Sequence, residues 1–236
     1  MNEQFIKQNL EKILSEIREG NNLGEPVTLV GATKTIDVDA INYAVSLGLK
    51  TVAENKAQEF RDKFESVKGA DYQFIGHLQS NKVKYVVGKA SVIQSVDCFE
   101  IAQVIGKEAE KRNVVQDILA EINVGGELSK SGFNPDNAIE CVKKLSSINN
   151  IRTVGLMAML PKSDDEGLLS ALTEKMRYIY DLLKKEGLPF RHLSVGMSED
   201  YKVAIKHGSN MIRIGSAIFG KRPAGVAFND DETGGK

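Results

Sequence analysis

A chain of 236 residues in which 31 Lys and Arg nearly cancel 32 Asp and Glu has no basic block interleaved with aromatics, so neither a nucleic-acid surface nor a polybasic membrane anchor is indicated. Cys98 and Cys141 stand far apart, without CxxC spacing or a flanking histidine cluster, which supports neither a zinc site nor a disulfide framework and points to a reducing cytoplasm. Glu3, Lys7, Glu11, Lys12, Glu16 and Arg18 interrupt any apolar leader, and no later apolar stretch is long enough to span a bilayer, so a soluble, unprocessed chain with a small-molecule partner is expected.

Ile6, Leu10, Ile13, Leu14 and Ile17 share one helix face that Gly20 can close, so the chain opens on an extra helix. A first strand follows over Val27 to Ala32, and Lys34 stands just past its end. Further β-prone apolar runs lie at Leu49 to Ala53, Tyr72 to Ile75, Ser91 to Val96, Ile118 to Val124, Thr153 to Met159, Phe190 to Val195 and Met211 to Ile214, making eight in all. Helical patterns separate them, with start signals at Asp97 with Glu100, at Asn134-Pro135, and at Ser163 with Glu166, a capping box ahead of Leu169, Leu172 and Met176. Parallel neighbours need helical crossovers, and eight such units close a barrel, so the sequence predicts an α/β chain forming a single (β/α)8 TIM-type barrel over residues 1–222. The Gly/Asp/Asn-rich stretch 223–236 reads as a disordered tail. An open doubly wound sheet competes, but no G-x-G-x-x-G follows the first strand, and the phosphate-like signals fall in the seventh and eighth units, where barrels usually hold phosphate.

Those signals are Gly196-Met197-Ser198 and Gly215-Ser216. Small residues let backbone N–H groups approach an anion, although Ser198 alone reads equally as a helix cap and Gly215 as an ordinary turn. Arg213 lies inside the apolar run Met211 to Ile214, where a charge needs either a buried carboxylate or a ligand. Lys34, at the carboxyl-terminal end of its strand, is either a lysine leaving the sheet for solvent or an amine able to form an imine. An imine-forming lysine beside a phosphate socket suggests an aldehyde that carries a phosphate, a description that pyridoxal phosphate fits.

The segments Ala53-Glu54-Asn55, Phe74 to Gln79, Gly155 to Met159, Leu193 to Ser198 and Arg213 to Gly220 together resemble the motifs of the pyridoxal-phosphate homeostasis proteins, a family similar to the barrel domain of bacterial alanine racemase. The resemblance implies pyridoxal phosphate fold type III, with Lys34 holding the cofactor as an internal imine, Ser198, Gly215 and Ser216 holding its phosphate, and Arg213 facing the pyridine nitrogen. It also places Asn55, His77, Met157 and Met197 around the pocket, each against a competing packing or turn role. Departures from the pattern are Lys56, where many members have tyrosine, and Ile36-Asp37, where lysine-proline is commoner. His192 and His207 read as structural, the latter at a helix end.

A guanidinium at the ring nitrogen cannot accept its proton and so weakens the cofactor as an electron sink. Racemisation would need a second base opposite Lys34, which in alanine racemase comes from a second domain that this sequence does not contain. The expectation is therefore a monomeric cytoplasmic protein that holds and releases pyridoxal phosphate, serving its homeostasis and delivering it to apoenzymes without robust catalysis. A small racemase using Lys34 and His77 or a water, and a barrel binding another sugar phosphate, are the alternatives.

Overall fold

Each of the eight apolar runs forms a strand: β1 (Thr28–Ala32), β2 (Thr51–Glu54), β3 (Asp71–Phe74), β4 (Ile93–Val96), β5 (Gln116–Glu121), β6 (Ile151–Ala158), β7 (His192–Val195) and β8 (Met211–Ile214). In the computed structural model, which describes residues 3–127 and 130–220, neighbouring strands pair in parallel in sequence order, and β1 also pairs with β8 to close the barrel. The crossovers carry α2 (Val38–Ser46), α3 (Ala57–Lys63), α4 (Val83–Val86), α5 (Phe99–Lys111), α6 (Ala138–Leu145), α7 (Glu166–Lys185) and α8 (Tyr201–Lys206), and α9 (Ser216–Phe219) follows the last strand. The extra helix expected at the start is α1 (Glu3–Glu16), which buries Ile6, Leu10 and Ile13 and packs against α2 and α9. The expected barrel is thus the observed one, and the stretch read as a tail, 223–236, lies outside the described residues.

Strand alternation divides the core into two layers. Leu29, Val52, Ala120 and Leu156 belong to the large layer between sheet and helices. Val30, Ala53, Leu119, Val154, Met157 and Met211 belong to a smaller cluster inside the barrel. At the amino-terminal ends of the strands, Asp117 accepts hydrogen bonds from Arg152 at 2.6 Å and Arg191 at 2.5 Å, tying β5, β6 and the start of β7 together.

Several helix starts differ from the sequence reading. Asp97 does not cap α5, whose cap residue is Cys98; the Asp97 carboxylate meets His77 instead. Asn134 closes a turn onto the Asp136 N–H, and α6 begins only at Ala138. At α7 the cap is Asp165, which accepts from Leu168 N–H, while Ser163 accepts from Asp165 N–H one turn earlier. Only α7 gains a side-chain cap from a neighbouring residue; the cap residues of α5 and α6, Cys98 and Asn137, make no side-chain cap hydrogen bond, and in all three cases the nominal cap bonds elsewhere.

Gly155 shows how closely the strands approach. It pairs with His192, and a Cβ built on it would lie 1.8 Å from the His192 carbonyl oxygen. Gly155→Ala must therefore push β6 and β7 apart, at a cost of about 3 kcal/mol or more. Chemical denaturation should report that loss as a lowered midpoint.

Candidate functional site

The carboxyl-terminal ends of the strands surround a cavity of about 460 Å³. Lys34 lies in the turn just past β1 and is half-buried at its wall. Asn55, Met197, Ser198, Arg213, Gly215 and Ser216 line the same cavity, so seven of the nine residues singled out from sequence come together. The other two do not line it. Met157 is buried in the barrel interior, and Met159, two residues on, takes the place at the wall. The His77 side chain is 66% exposed at the rim, its Nδ1 3.2 Å from Asp97 Oδ2.

Gly196 initiates the anion-side loop. Its φ of +106° lies in the left-handed region, and a Cβ there would fall 2.8 Å from Ala204 Cβ and 2.9 Å from Tyr201 Cα. The chain can then turn tightly through Met197 to Asp200. Ser198 does not open a helix as expected, because α8 starts at Tyr201 and the Asp200 carboxylate accepts from Met197 N–H to close the turn. The Ser198 hydroxyl instead accepts from Ala217 N–H at 3.3 Å, joining the loop after β7 to the loop after β8. Among the described residues, the N–H groups of Ser198, Glu199, Gly215 and Ser216 make no hydrogen bond, and all four residues line the cavity. Such a set of free donors is what an anion requires.

Arg213 is 4% exposed. It makes no ion pair among the described residues; Nη1 donates to the Ser194 carbonyl (2.8 Å) and hydroxyl (2.6 Å), and Nη2 to the Ala158 carbonyl (2.9 Å). Burial pushes its pKa down to about 10, against the pull of Glu121 and Asp200, so it remains a cation at neutral pH. From Ser194 the bonding continues across the barrel: the hydroxyl donates to Gln94 Oε1 at 2.7 Å, and Gln94 Nε2 donates to Gln73 Oε1 at 2.6 Å. These three polar residues were not singled out from sequence, although each interrupts an apolar strand, the same signal that exposed Arg213.

Glu121 was also missed. It ends β5 two residues after the interior Leu119, on the same face, and is only 5% exposed. Burial first, and then the Asp97 charge, push its carboxyl up to about 7, while Arg213 and His77 pull the other way. Of the histidines read as structural, His192 is pushed down to about 4 by desolvation and by Arg191. His207 is the C-cap residue of α8, with Nδ1 2.8 Å from Glu174.

The fold and the site together define a class, a (β/α)8 barrel with a lysine after its first strand and a glycine-serine loop after its eighth, and the sequence matches the alanine racemase N-terminal domain family over residues 4–223. It is 38% identical over 220 residues to the pyridoxal phosphate homeostasis protein of Aquifex aeolicus, covering 92% of this chain and 95% of that one. To the protein of the same name in Schizosaccharomyces pombe it is 33% identical over 225 residues, covering 92% and 93%. The chain belongs to the pyridoxal phosphate homeostasis protein family. PipY of Synechococcus elongatus, solved with pyridoxal phosphate bound, superimposes with a TM-score of 0.79 at 25% identity, over 91% of this chain and 100% of that one.

Burial holds the Glu121 carboxyl protonated well above the usual carboxylate range. A folded pKa of about 7 against 4.5 means that the fold favours the neutral acid, so this contribution is complete below about pH 4.5 and is lost as pH rises through about 7. Measured by denaturation against Glu121→Gln, wild-type stability should fall by roughly 3 kcal/mol between about pH 4.5 and about pH 8.

Proposed function

We propose that this chain holds pyridoxal phosphate reversibly and takes part in its homeostasis. The observation that carries this reading is the convergence, in one cavity, of the Lys34 amine with the free N–H donors of Ser198, Glu199, Gly215 and Ser216. The residues present fit the cofactor on their own chemistry. The cavity volume suits a small ligand, the N–H set suits a phosphate, and Lys34 is the amine an aldehyde needs. The Aquifex and fission yeast relatives carry the homeostasis name, and PipY was solved with the cofactor bound, which supports the same reading.

When bound, the cofactor supplies an aldehyde for reversible covalent attachment and a pyridine ring able to take up electrons. Lys34 provides the attachment point. Ser198, Gly215 and Ser216 orient the phosphate, and Asn55 and Met197 form walls beside it. Arg213 presents only donors to the cavity, so it cannot take a proton from a ring nitrogen placed against it, and protonation of that nitrogen is not promoted. An electron sink weakened in this way favours holding over carbanion chemistry. Met157 supports the wall from the layer beneath, and His77 stands at the rim with Asp97. The free Cys98 and Cys141 suit a reducing cytoplasm, in which a protected aldehyde could be passed to apoenzymes.

Adding pyridoxal phosphate to the protein, reducing with borohydride and mapping by mass spectrometry should place the label on Lys34. Lys34→Ala should lose both the label and the visible absorbance, and an unchanged spectrum in that variant would end the assignment. Pyridoxal without its phosphate should bind at least about a hundredfold more weakly, because the N–H donors would then face no anion. Enzyme-rate solvent deuterium exchange at the alpha carbon of alanine or serine would overturn the holding role in favour of a racemase.

A further inference from the structure

The turn that carries Lys34 is under strain and is gripped from behind. Thr35, the next residue, has φ +66°, in the left-handed region that a β-branched side chain rarely adopts. Such a conformation persists only where its surroundings impose it. Three side chains from β2 and α3 do so. Glu59 Oε2 accepts from Thr35 N–H at 2.9 Å. Lys63 Nζ donates to the Thr33 carbonyl at 3.1 Å, to Glu54 Oε1 at 2.8 Å and to Glu59 Oε2 at 3.0 Å. The Thr33 hydroxyl donates to the same Glu54 oxygen at 2.8 Å.

The residues on either side of Lys34 are thus held by one ammonium and two carboxylates, none of which lines the cavity. Alternation along the strand explains the division of labour. Ala32 lines the cavity, Thr33 is fully buried and bonded to β2 behind the sheet, and Lys34 returns to the cavity wall. The two sides of the clamp are interdependent. Glu54 is completely buried, and its Oε1 gathers Thr33, Lys63 and, at 3.4 Å, the Tyr72 hydroxyl, while its Oε2 has no partner among the described residues. Burial pushes the Glu54 carboxyl up although Lys63 opposes it, so loss of Lys63 leaves a buried carboxylate without its counter-charge.

We propose that Lys63, with Glu54 and Glu59, is the positioning clamp for Lys34, fixing the Thr33 to Thr35 turn so that the amine meets the aldehyde of a phosphate-anchored ligand. This rests on the reading of Lys34 as the attachment residue. Attachment joins Lys34 Nζ to the aldehyde carbon and releases the aldehyde oxygen as water; the clamp exchanges no atom or electron in that step. Its contribution is orientation, which a lysine with a long flexible stem lacks unless its backbone is fixed.

The test compares wild type with Lys63→Met and with the milder Glu59→Gln, which decides the matter if the first fails to fold. Amide hydrogen exchange on the cofactor-free protein reads the turn directly, and exchange at Thr35 should accelerate by about tenfold or more in both variants. With pyridoxal phosphate and borohydride, the concentration needed to label Lys34 should rise by about tenfold or more, while binding of inorganic phosphate stays at the wild-type value. Unchanged Thr35 exchange with unchanged labelling overturns the clamp, and so does a parallel loss of phosphate binding, which marks a general structural defect. Absence of label on Lys34 in the wild type would instead sink the cofactor reading, and Thr35 exchange would still decide whether the turn is clamped.

Discussion

A full positive charge inside a parallel barrel sets the terms for the rest of this structure. Arg213 has almost no solvent contact and no carboxylate in direct contact among the described residues, so its guanidinium depends on carbonyl oxygens at the ends of β6 and β7. Those carbonyls are within reach because β6 and β7 end together, Ala158 opposite Val195, while β8 runs on past them, with the Arg213 N–H bonded to the Gly196 carbonyl just beyond β7. A one-residue slip of β8 would turn Arg213 out of the barrel and leave Ser194, Gln94 and Gln73 without a terminus for their chain of bonds. A buried polar network of this kind contributes less to stability than an apolar core of equal volume, because desolvation offsets most of the attraction. Its effect is to fix register at the mouth, where the ligand groups must be placed.

Barrel closure is the second constraint. Lys34 and Gly215-Ser216 are separated by most of the sequence, yet β1 pairs with β8 from Thr28 opposite Met211 to Gly31 opposite Ile214. The two following turns therefore emerge side by side, one with an amine and the other with free N–H groups. The bond from Ala217 N–H to the Ser198 hydroxyl extends that alignment to β7. An open sheet built from the same units would leave the first and last strands on different neighbours, and the amine and the anion loop would not share a cavity.

The fold was legible because the strands of a parallel sheet buried on both faces read as short continuous apolar runs, and all eight were found where those runs lie. Helix starts were less legible. Asp97, Asn134, Ser163 and Ser198 all have cap chemistry, but each has another partner within reach: His77, Asp136 N–H, Asp165 N–H and Ala217 N–H respectively. Sequence spacing cannot rank such competing partners. Met157 and Met159 show a different limit. They lie on the same strand run two residues apart, one in the interior layer and one at the wall, and depth along a strand is not written in its alternation. The clamp was hidden more completely. Glu59 and Lys63 stand four apart on α3, a spacing that reads as a solvated surface pair, and only the fold brings them behind Lys34.

The two ends of the barrel divide stability from function. At the amino-terminal end, Asp117 accepts from Arg152 and Arg191 in compact bonds that close on themselves. The opposite end concentrates what is energetically awkward: a buried arginine, a buried Glu121 held up near 7, a left-handed threonine and N–H groups with no partner among the described residues. Local rules fail together there because the mouth is shaped for a molecule carrying charge of its own. An anion against Ser198, Gly215 and Ser216 would satisfy those N–H donors and would also lie in the field of Arg213. Binding should therefore stabilise the region that folding alone leaves strained, and a ligand recognised in that way can be held firmly without any requirement that it be transformed.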